Sequence, residues 1–232
     1  MTTPLPVDPL VTGALRVFHD TFDAEHAKHP ADATWRVGGK ASKANPNKED
    51  AAFYRGKAAE WIAAYVKWRR SNPQFDIWHT PEGVPAIELT VRVYIPGTRI
   101  LLRGSIDQVL QNFDEGELHI VDRKSGSSAQ VSALQLAFYR LALWLQFGVR
   151  VRYGSYYSVR EGRLDALYDL EQFSDEQLMR YLRNMKRSVV DLRDFTPSIS
   201  RDCGYCDVRK HCYVWSPEVP RPVFTDDLEV VA

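Results

Sequence analysis

The chain has 232 residues, 44% of them hydrophobic and 26% charged, the proportions of a soluble globular protein long enough for one well-packed domain. Its 30 basic and 30 acidic side chains cancel to a formal charge of +0, so the whole molecule has no global attraction to nucleic acid and any such contact must use local basic patches. No apolar run is long enough to span a membrane, and Met1-Thr2-Thr3-Pro4 lacks the basic-then-apolar order of a secretion signal, which makes the cytoplasm the expected compartment.

In chain order, a helix is expected over residues 12–28, then a loop over 38–48 rich in Gly, Ala, Ser, Lys and Asn, then a helix over 47–70. Trp61, Tyr65 and Trp68 recur in that second helix at helical spacing and predict a core-facing stripe. From 85 to 95, Ile87, Leu89, Val91, Val93 and Ile95 alternate with Glu88, Thr90, Arg92 and Tyr94, the pattern of a half-buried strand. Pro96-Gly97 turns the chain into a second strand over 100–110, and Asn112, Asp114 and Gly116 supply the turn into a third over 118–124. A helix over 131–147 carries Leu134, Phe138, Leu141 and Leu145 as its apolar stripe. A strand over 150–160, a further extended segment over 163–170 and a helix capped by Ser174 and running to about 192 complete the pattern. Helix, three strands, helix, strand is the order of an α/β single domain with a central mixed β-sheet flanked by helices, followed here by a C-terminal cysteine-containing segment. The expected boundaries are 1–48 for an N-terminal helical and loop region, 49–195 for the core and 196–232 for the cysteine cluster and tail.

The chemistry is concentrated between residues 104 and 139: Gly104-Ser105-Ile106-Asp107, then Ile120-Val121-Asp122-Arg123-Lys124-Ser125-Gly126, then Gln135 and Tyr139. Side chains at i and i+2 share one face of a strand, so Asp122 and Lys124 project together while Arg123 points away. Two adjacent antiparallel strands would bring Asp107 beside Asp122. Paired carboxylates suit Mg²⁺ or Mn²⁺, hard cations that prefer oxygen ligands, and a nearby ammonium can position water or steady charge on a phosphate. Each residue alone also has a plain reading: a solvated strand end, a turn acid, polar positions on an amphipathic helix. The ordered combination is what points to a metal-dependent phosphodiesterase.

From Glu88 to Tyr139 the chain resembles the RecB-like branch of the PD-(D/E)XK nuclease superfamily, whose core is restriction-endonuclease-like. Asp107 matches its second-motif aspartate, Asp122-Arg123-Lys124 its (D/E)xK motif, and Gln135 with Tyr139 its QxxxY motif. The resemblance implies a divalent-metal-dependent deoxyribonuclease, an exonuclease more readily than an endonuclease, acting on DNA ends in recombination, repair or phage DNA metabolism. It implies Asp107 and Asp122 as metal ligands, Lys124 as the catalytic cation, Gln135 and Tyr139 as DNA-binding or supporting residues, and the backbone carbonyl of Arg123 as a further metal contact. Relatives commonly carry a histidine four residues after a helical glycine. Here Gly56 is followed at that spacing by Glu60, an acid that can also ligate metal or simply face water beside Gly56, Ala63 and Ala64. Glu88 sits where the family often has an acid ahead of the GxxD motif, and it ranks below Asp107 and Asp122 as a ligand.

Cys203, Cys206 and Cys212 fall within ten residues, a clustering that in a cytoplasmic chain suggests a metal rather than disulfides. The spacing resembles the C-terminal triplet of the CRISPR-associated and AddB-type iron–sulfur exonucleases, in which a distant fourth cysteine completes a [4Fe–4S] site. No upstream cysteine exists here, which leaves His19, His26 or His29 as a fourth ligand, a Zn²⁺ site as the alternative, or no metal at all. The candidate basic patches are Lys67, Arg69 and Arg70, and Arg180, Arg183 and Arg187 along one helix face. The expected partner is DNA, with a recombination or helicase protein as a further one and no membrane. A DNA-end-binding processing partner with weak or no cleavage is the rival reading, and a zinc-dependent interaction module a third that rests on the tail alone.

Overall fold

Helices form where apolar residues recur every three or four positions, and strands where β-branched and aromatic residues gather between turns. In order these are α1 (Pro9–Lys28), α2 (Ala51–Ser71), β1 (Phe75–Ile77), β2 (Ile87–Tyr94), β3 (Leu101–Asn112), β4 (Glu117–Lys124), α3 (Ala133–Phe147), β5 (Tyr153–Ser158), β6 (Arg163–Leu164), β7 (Tyr168–Asp169) and α4 (Asp175–Val190). The structure, a computed structural model, describes residues 8–28, 51–126 and 132–190 with isolated positions from 203 to 218. The expected loop over 38–48, the helix positions expected at 47–50, 131 and 191–192, His29 and the side chain of Arg187 lie outside the described residues. The chain divides into two compact units, Met1–Val93 with Leu101–Ser174, and Tyr94–Ile100 with Asp175–Ala232.

The first unit is built on a mixed sheet in the order β1-β3-β4-β5-β6, with β2 also paired to β3 and β7 to β5. β3 and β4 are antiparallel, with Gln108 opposite Val121 and Leu110 opposite His119. β4 and β5 are parallel, with Asp122 beside Tyr156 and Lys124 beside Ser158. A parallel pair needs a crossover, and α3 supplies it. Successive residues of β4 serve opposite faces. Ile120 joins the core under α3, with Val109, Leu136, Leu143 and Tyr156, whereas Val121 joins Leu110 and Tyr157 against Tyr65 and Trp68 of α2. Gly154 of β5 lets α3 approach closely: a Cβ there would stand 3.1 Å from Leu136 Cδ1 and 3.3 Å from Leu170 Cδ1.

Where the elements depart from expectation, a local cause is visible. β1 was not expected, because three residues after Pro73 carry no periodic signal and their strand character comes from pairing with the far end of β3. In β2 the expected alternation holds from Leu89 to Ile95 and breaks only at the strand's start. Glu88 has φ 49°, the one positive value among described non-glycine residues, so Ile87 is exposed and Ala86 is buried in its place. In α3 the deepest residues are Leu136, Ala137, Arg140, Leu141, Ala142 and Leu143, so of the expected stripe only Leu141 is fully buried. The segment 163–170 contributes two short strands, both paired with β5, rather than one.

α1 and α2 are joined near both ends by arginine–aspartate ion pairs, Asp8 with Arg70 and Asp23 with Arg55. The second unit contains the turn at Gly97, where Ile95 N–H donates to Ile100 O at 2.9 Å, and helix α4, on which Leu178 is buried and Arg180 and Arg183 are exposed. Among the described residues, Cys203, Cys206 and Cys212 form no disulfide. Among the described residues, no helix is long and apolar enough to cross a membrane.

Candidate active site

Asp122 occupies the α3-facing side of β4, two residues beyond Ile120, and its side chain is only 4% exposed. Lys124, two residues further on the same face, places its Nζ 2.6 Å from Asp122 Oδ2. From α3, Gln135 Nε2 donates to Asp122 Oδ1 at 3.0 Å and to the Tyr139 hydroxyl at 3.0 Å. The i, i+4 spacing puts Gln135 and Tyr139 on one helical face, and the buried body of α3 fixes that face over the strand.

Asp107 approaches from β3. The last ladder pair between the strands is Gln108 with Val121, so Asp107 and Asp122 lie one step beyond it. Asp107 Oδ2 accepts the backbone N–H of Arg123 at 2.7 Å, tying the end of β4 to a β3 side chain. Gly104, three residues earlier, lies beneath Tyr139, whose Cε1 would be 3.5 Å from a Cβ placed there.

Burial holds the Asp122 carboxyl above the usual carboxylate range. Lys124 pulls it back and the nearby Asp107 charge adds to the rise. Its Oδ2 has the Lys124 ammonium as ion-pair partner but no aligned hydrogen bond. A buried carboxylate oxygen in that condition, with a second carboxylate at the adjacent ladder position, is a donor set that fits Mg²⁺ or Mn²⁺. Burial likewise raises the Tyr139 phenol.

Arg123 points to the opposite face, as strand alternation requires. Its Nη2 pairs with Glu88 Oε1 at 2.6 Å, and its side chain lines a cavity of about 530 Å³ between α1, α2 and the sheet. Glu88 is therefore engaged with Arg123. Glu60 is on α2, exposed and paired with Lys57 at 2.7 Å, and its neighbours Gly56 and Ala63 are also exposed. Of the basic patch on α2, Lys67 is exposed, while Arg69 pairs with Asp76 at 3.5 Å and Arg70 with Asp8. Among the described residues no three or more His, Cys, Asp or Glu side chains come together as an ion-holding group. Neither Glu60 nor Glu88 thus joins the aspartates in such a group, and Cys203, Cys206 and Cys212 do not form one.

The structure adds Tyr156 to the set. Its hydroxyl donates to Ser132 O at 2.8 Å, accepts the Ser132 N–H at 3.2 Å and stands 3.3 Å from Gln135 Oε1. Lys124 Nζ lies 5.2 Å from the centre of its ring. Burial pushes this phenol up to about 12, so it stays protonated and can keep donating. Its sequence signal was weak: one tyrosine in a tyrosine-rich strand, brought to Lys124 only by the parallel pairing of β5.

Paired acidic strands, an ammonium on one of them and an amide–phenol pair on the following helix, all carried by a mixed sheet, describe the nuclease class. The profile of the PD-(D/E)XK nuclease superfamily matches residues 13–213, and the chain belongs to that superfamily. The Gene 69 protein of Mycobacterium phage D29 is 32% identical over 162 residues, covering 67% of this chain and 58% of that protein, so the chain spans less than two thirds of that relative. Among solved structures, SSO0001 aligns over 71% of this chain and 74% of its own at 18% identity, with a TM-score of 0.38. Protein VC1899 from Vibrio cholerae aligns over 63% and 36% at 14% identity, with a TM-score of 0.27.

Proposed function

We propose that this chain is a Mg²⁺- or Mn²⁺-dependent DNA exonuclease that hydrolyses phosphodiester bonds from DNA ends. The observation that carries the reading is the linked set Asp107, Asp122, Lys124, Gln135 and Tyr139, with the most buried acid bonded from both its own strand and the next helix. Asp107 and Asp122 would hold the ion, which when bound supplies Lewis-acid polarisation of the phosphate and a more acidic water.

The protein's own groups do the rest. Gln135 fixes the orientation of the Asp122 carboxylate through Oδ1, leaving Oδ2 to face the site. Lys124 carries a positive charge on the same strand face, where it can orient water or balance charge growing on the phosphate. Tyr139 and Gln135 set the edge against which a nucleotide would lie. Lys67 in the first unit is exposed and can meet the DNA backbone despite the neutral whole, and the second unit carries exposed Arg180 and Arg183 of its own. The mycobacteriophage relative favours phage DNA metabolism over the other settings. The cysteine triplet is read as structural; an iron–sulfur cluster or Zn²⁺ there would have to draw together thiols that do not form an ion-holding group in its absence.

The test is digestion of end-labelled linear DNA and closed circles, single- and double-stranded, with Mg²⁺, Mn²⁺ or EDTA. Metal-dependent loss of linear DNA alone, absent in Lys124→Ala, is the expected result. Cut circles would make the enzyme an endonuclease. Binding of DNA ends without cleavage would make it a processing partner.

A further inference from the structure

Lys124 is the final residue of β4, so the position of its ammonium depends on how the chain just beyond it is held. Two bonds hold it. Val159 N–H donates to the Lys124 carbonyl at 3.0 Å, and Arg160 Nε donates to the Ser125 carbonyl at 2.6 Å. The Arg160 guanidinium is itself gripped by α2. It lies 5.8 Å from the centre of the Phe53 ring and 5.6 Å from that of Trp61, and Nη2 is 3.4 Å from the Tyr54 hydroxyl. These rings brace one another edge to face, Phe53 against Trp61 at 6.1 Å and Tyr54 against Trp61 at 5.6 Å.

The turn that presents Arg160 is seated on the same helix. Gly162 has φ 66°, and a Cβ there would come within 2.9 Å of Ala64 Cβ, so only glycine lets the turn lie so close to α2. A guanidinium suits this place because it can stack flat on aromatic faces while its edge donates to a carbonyl. One side chain therefore connects the first helix of the core to the residue immediately after Lys124.

We infer that Arg160 is a positioning residue for Lys124, fixing the end of β4 against α2 so that the ammonium stays at Asp122. As a statement about catalysis this rests on the nuclease reading. As a statement about Lys124 it does not. The competing account is a plain staple between the β5–β6 turn and α2, which would affect stability but leave the ammonium where it is.

The two accounts separate in the full chain, without metal, by NMR of the Lys124 side chain. An ammonium held over the Tyr156 ring gives ring-current-shifted ε-methylene signals and a nuclear Overhauser contact to that ring. Arg160→Gln should return the signals toward ordinary lysine positions and remove the contact, and Arg160→Lys, which keeps the charge but not the stacked, forked donor, should keep only part of both. In the cleavage assay, run well below each variant's melting temperature, Arg160→Gln should lower kcat about tenfold or more, with KM for DNA within about twofold of wild type. Arg160→Lys should recover only part of that loss. If Arg160→Gln does not fold, Phe53→Leu removes one wall of the cage and should produce a smaller shift in the same direction.

Lys124 signals unchanged in a folded Arg160→Gln or Phe53→Leu protein would overturn the assignment and leave the staple. If the wild type cleaves nothing while the signals still collapse, the nuclease reading fails and the positioning role stands.

Discussion

α3 and α1 are both regular helices, 15 and 20 residues long, yet they are attached to the protein by opposite means. α3 buries six residues, of which Leu136, Ala142 and Leu143 pack into the core on the sheet face that carries Asp122. α1 buries none, and is tied to α2 by Asp8–Arg70 and Asp23–Arg55, all exposed to solvent at least in part. Only the first kind of attachment can aim chemistry. A helix locked by packing returns Gln135 to Asp122 every time, whereas surface ion pairs are worth little and are screened by salt.

The largest effects should come where α3 meets β4. Lys124→Ala or Asp122→Asn should reduce cleavage by about a thousandfold or more, as loss of a group acting on transition-state charge does. Thermal melts of metal-free protein should show Asp122→Asn close to wild type, because the carboxylate it removes is already disfavoured by burial. Cleavage retained near wild-type level in both variants would dismantle the site. The body of α3 is tested by Leu136→Ala, which should cost about 2–5 kcal/mol in urea unfolding, the range for a fully buried leucine that leaves a cavity. A loss below that range would mean the helix is not packed as described.

The α2 side of the sheet contributes a pH dependence. His119 is buried against Phe75 with Nε2 3.1 Å from Ser155 Oγ, and burial lowers its pKa from the ordinary 6.5 to about 4. The unfolded chain therefore binds a proton that the folded chain refuses between those values. Stability present above pH 6.5 should fall by about 3 kcal/mol as pH drops to 4. Asp122 contributes with the opposite sign, since a raised carboxyl takes up its proton more readily when folded, so His119→Gln against wild type isolates the histidine. An equally steep pH dependence in that variant would contradict the assignment. The smallest effect belongs to α1: Asp8→Asn with Asp23→Asn should leave the melting of the sheet unmoved while protease cleavage within α1 speeds up. A sheet that melts with α1 would show that the two helices do not differ as argued.

Much of this was readable in the chain before folding. Asp122 with Lys124 and Gln135 with Tyr139 are spaced by the periods of a strand and a helix, so local geometry alone made them neighbours. Features that depend on a distant partner were not readable in the same way. β1 is a strand because Leu110–Asn112 of β3, paired with β4 on one edge, offer their other edge to it. Tyr156 reaches Lys124 through a parallel pairing, and Arg160 through a turn docked on α2. The sequence does not settle the buried face of α3, because leucines at 134, 136, 141, 143 and 145 lie on more than one side of the helix. Glu60 was undecided for the converse reason. Helical spacing groups it with Gly56 and Ala63, but only the packing of Tyr65 and Trp68 shows that this strip is turned to water.

The ion pair between Lys124 and Asp122 bears on the order of events in the protein's life. A buried acid that had only a divalent cation to neutralise it would tie folding to metal supply, and a chelator would then act as a denaturant. Here a positive charge built into the same strand already stands 2.6 Å from the acid. The chain can complete its fold first and acquire an ion afterwards, so withdrawing metal should silence the enzyme while leaving it intact and ready to be reloaded.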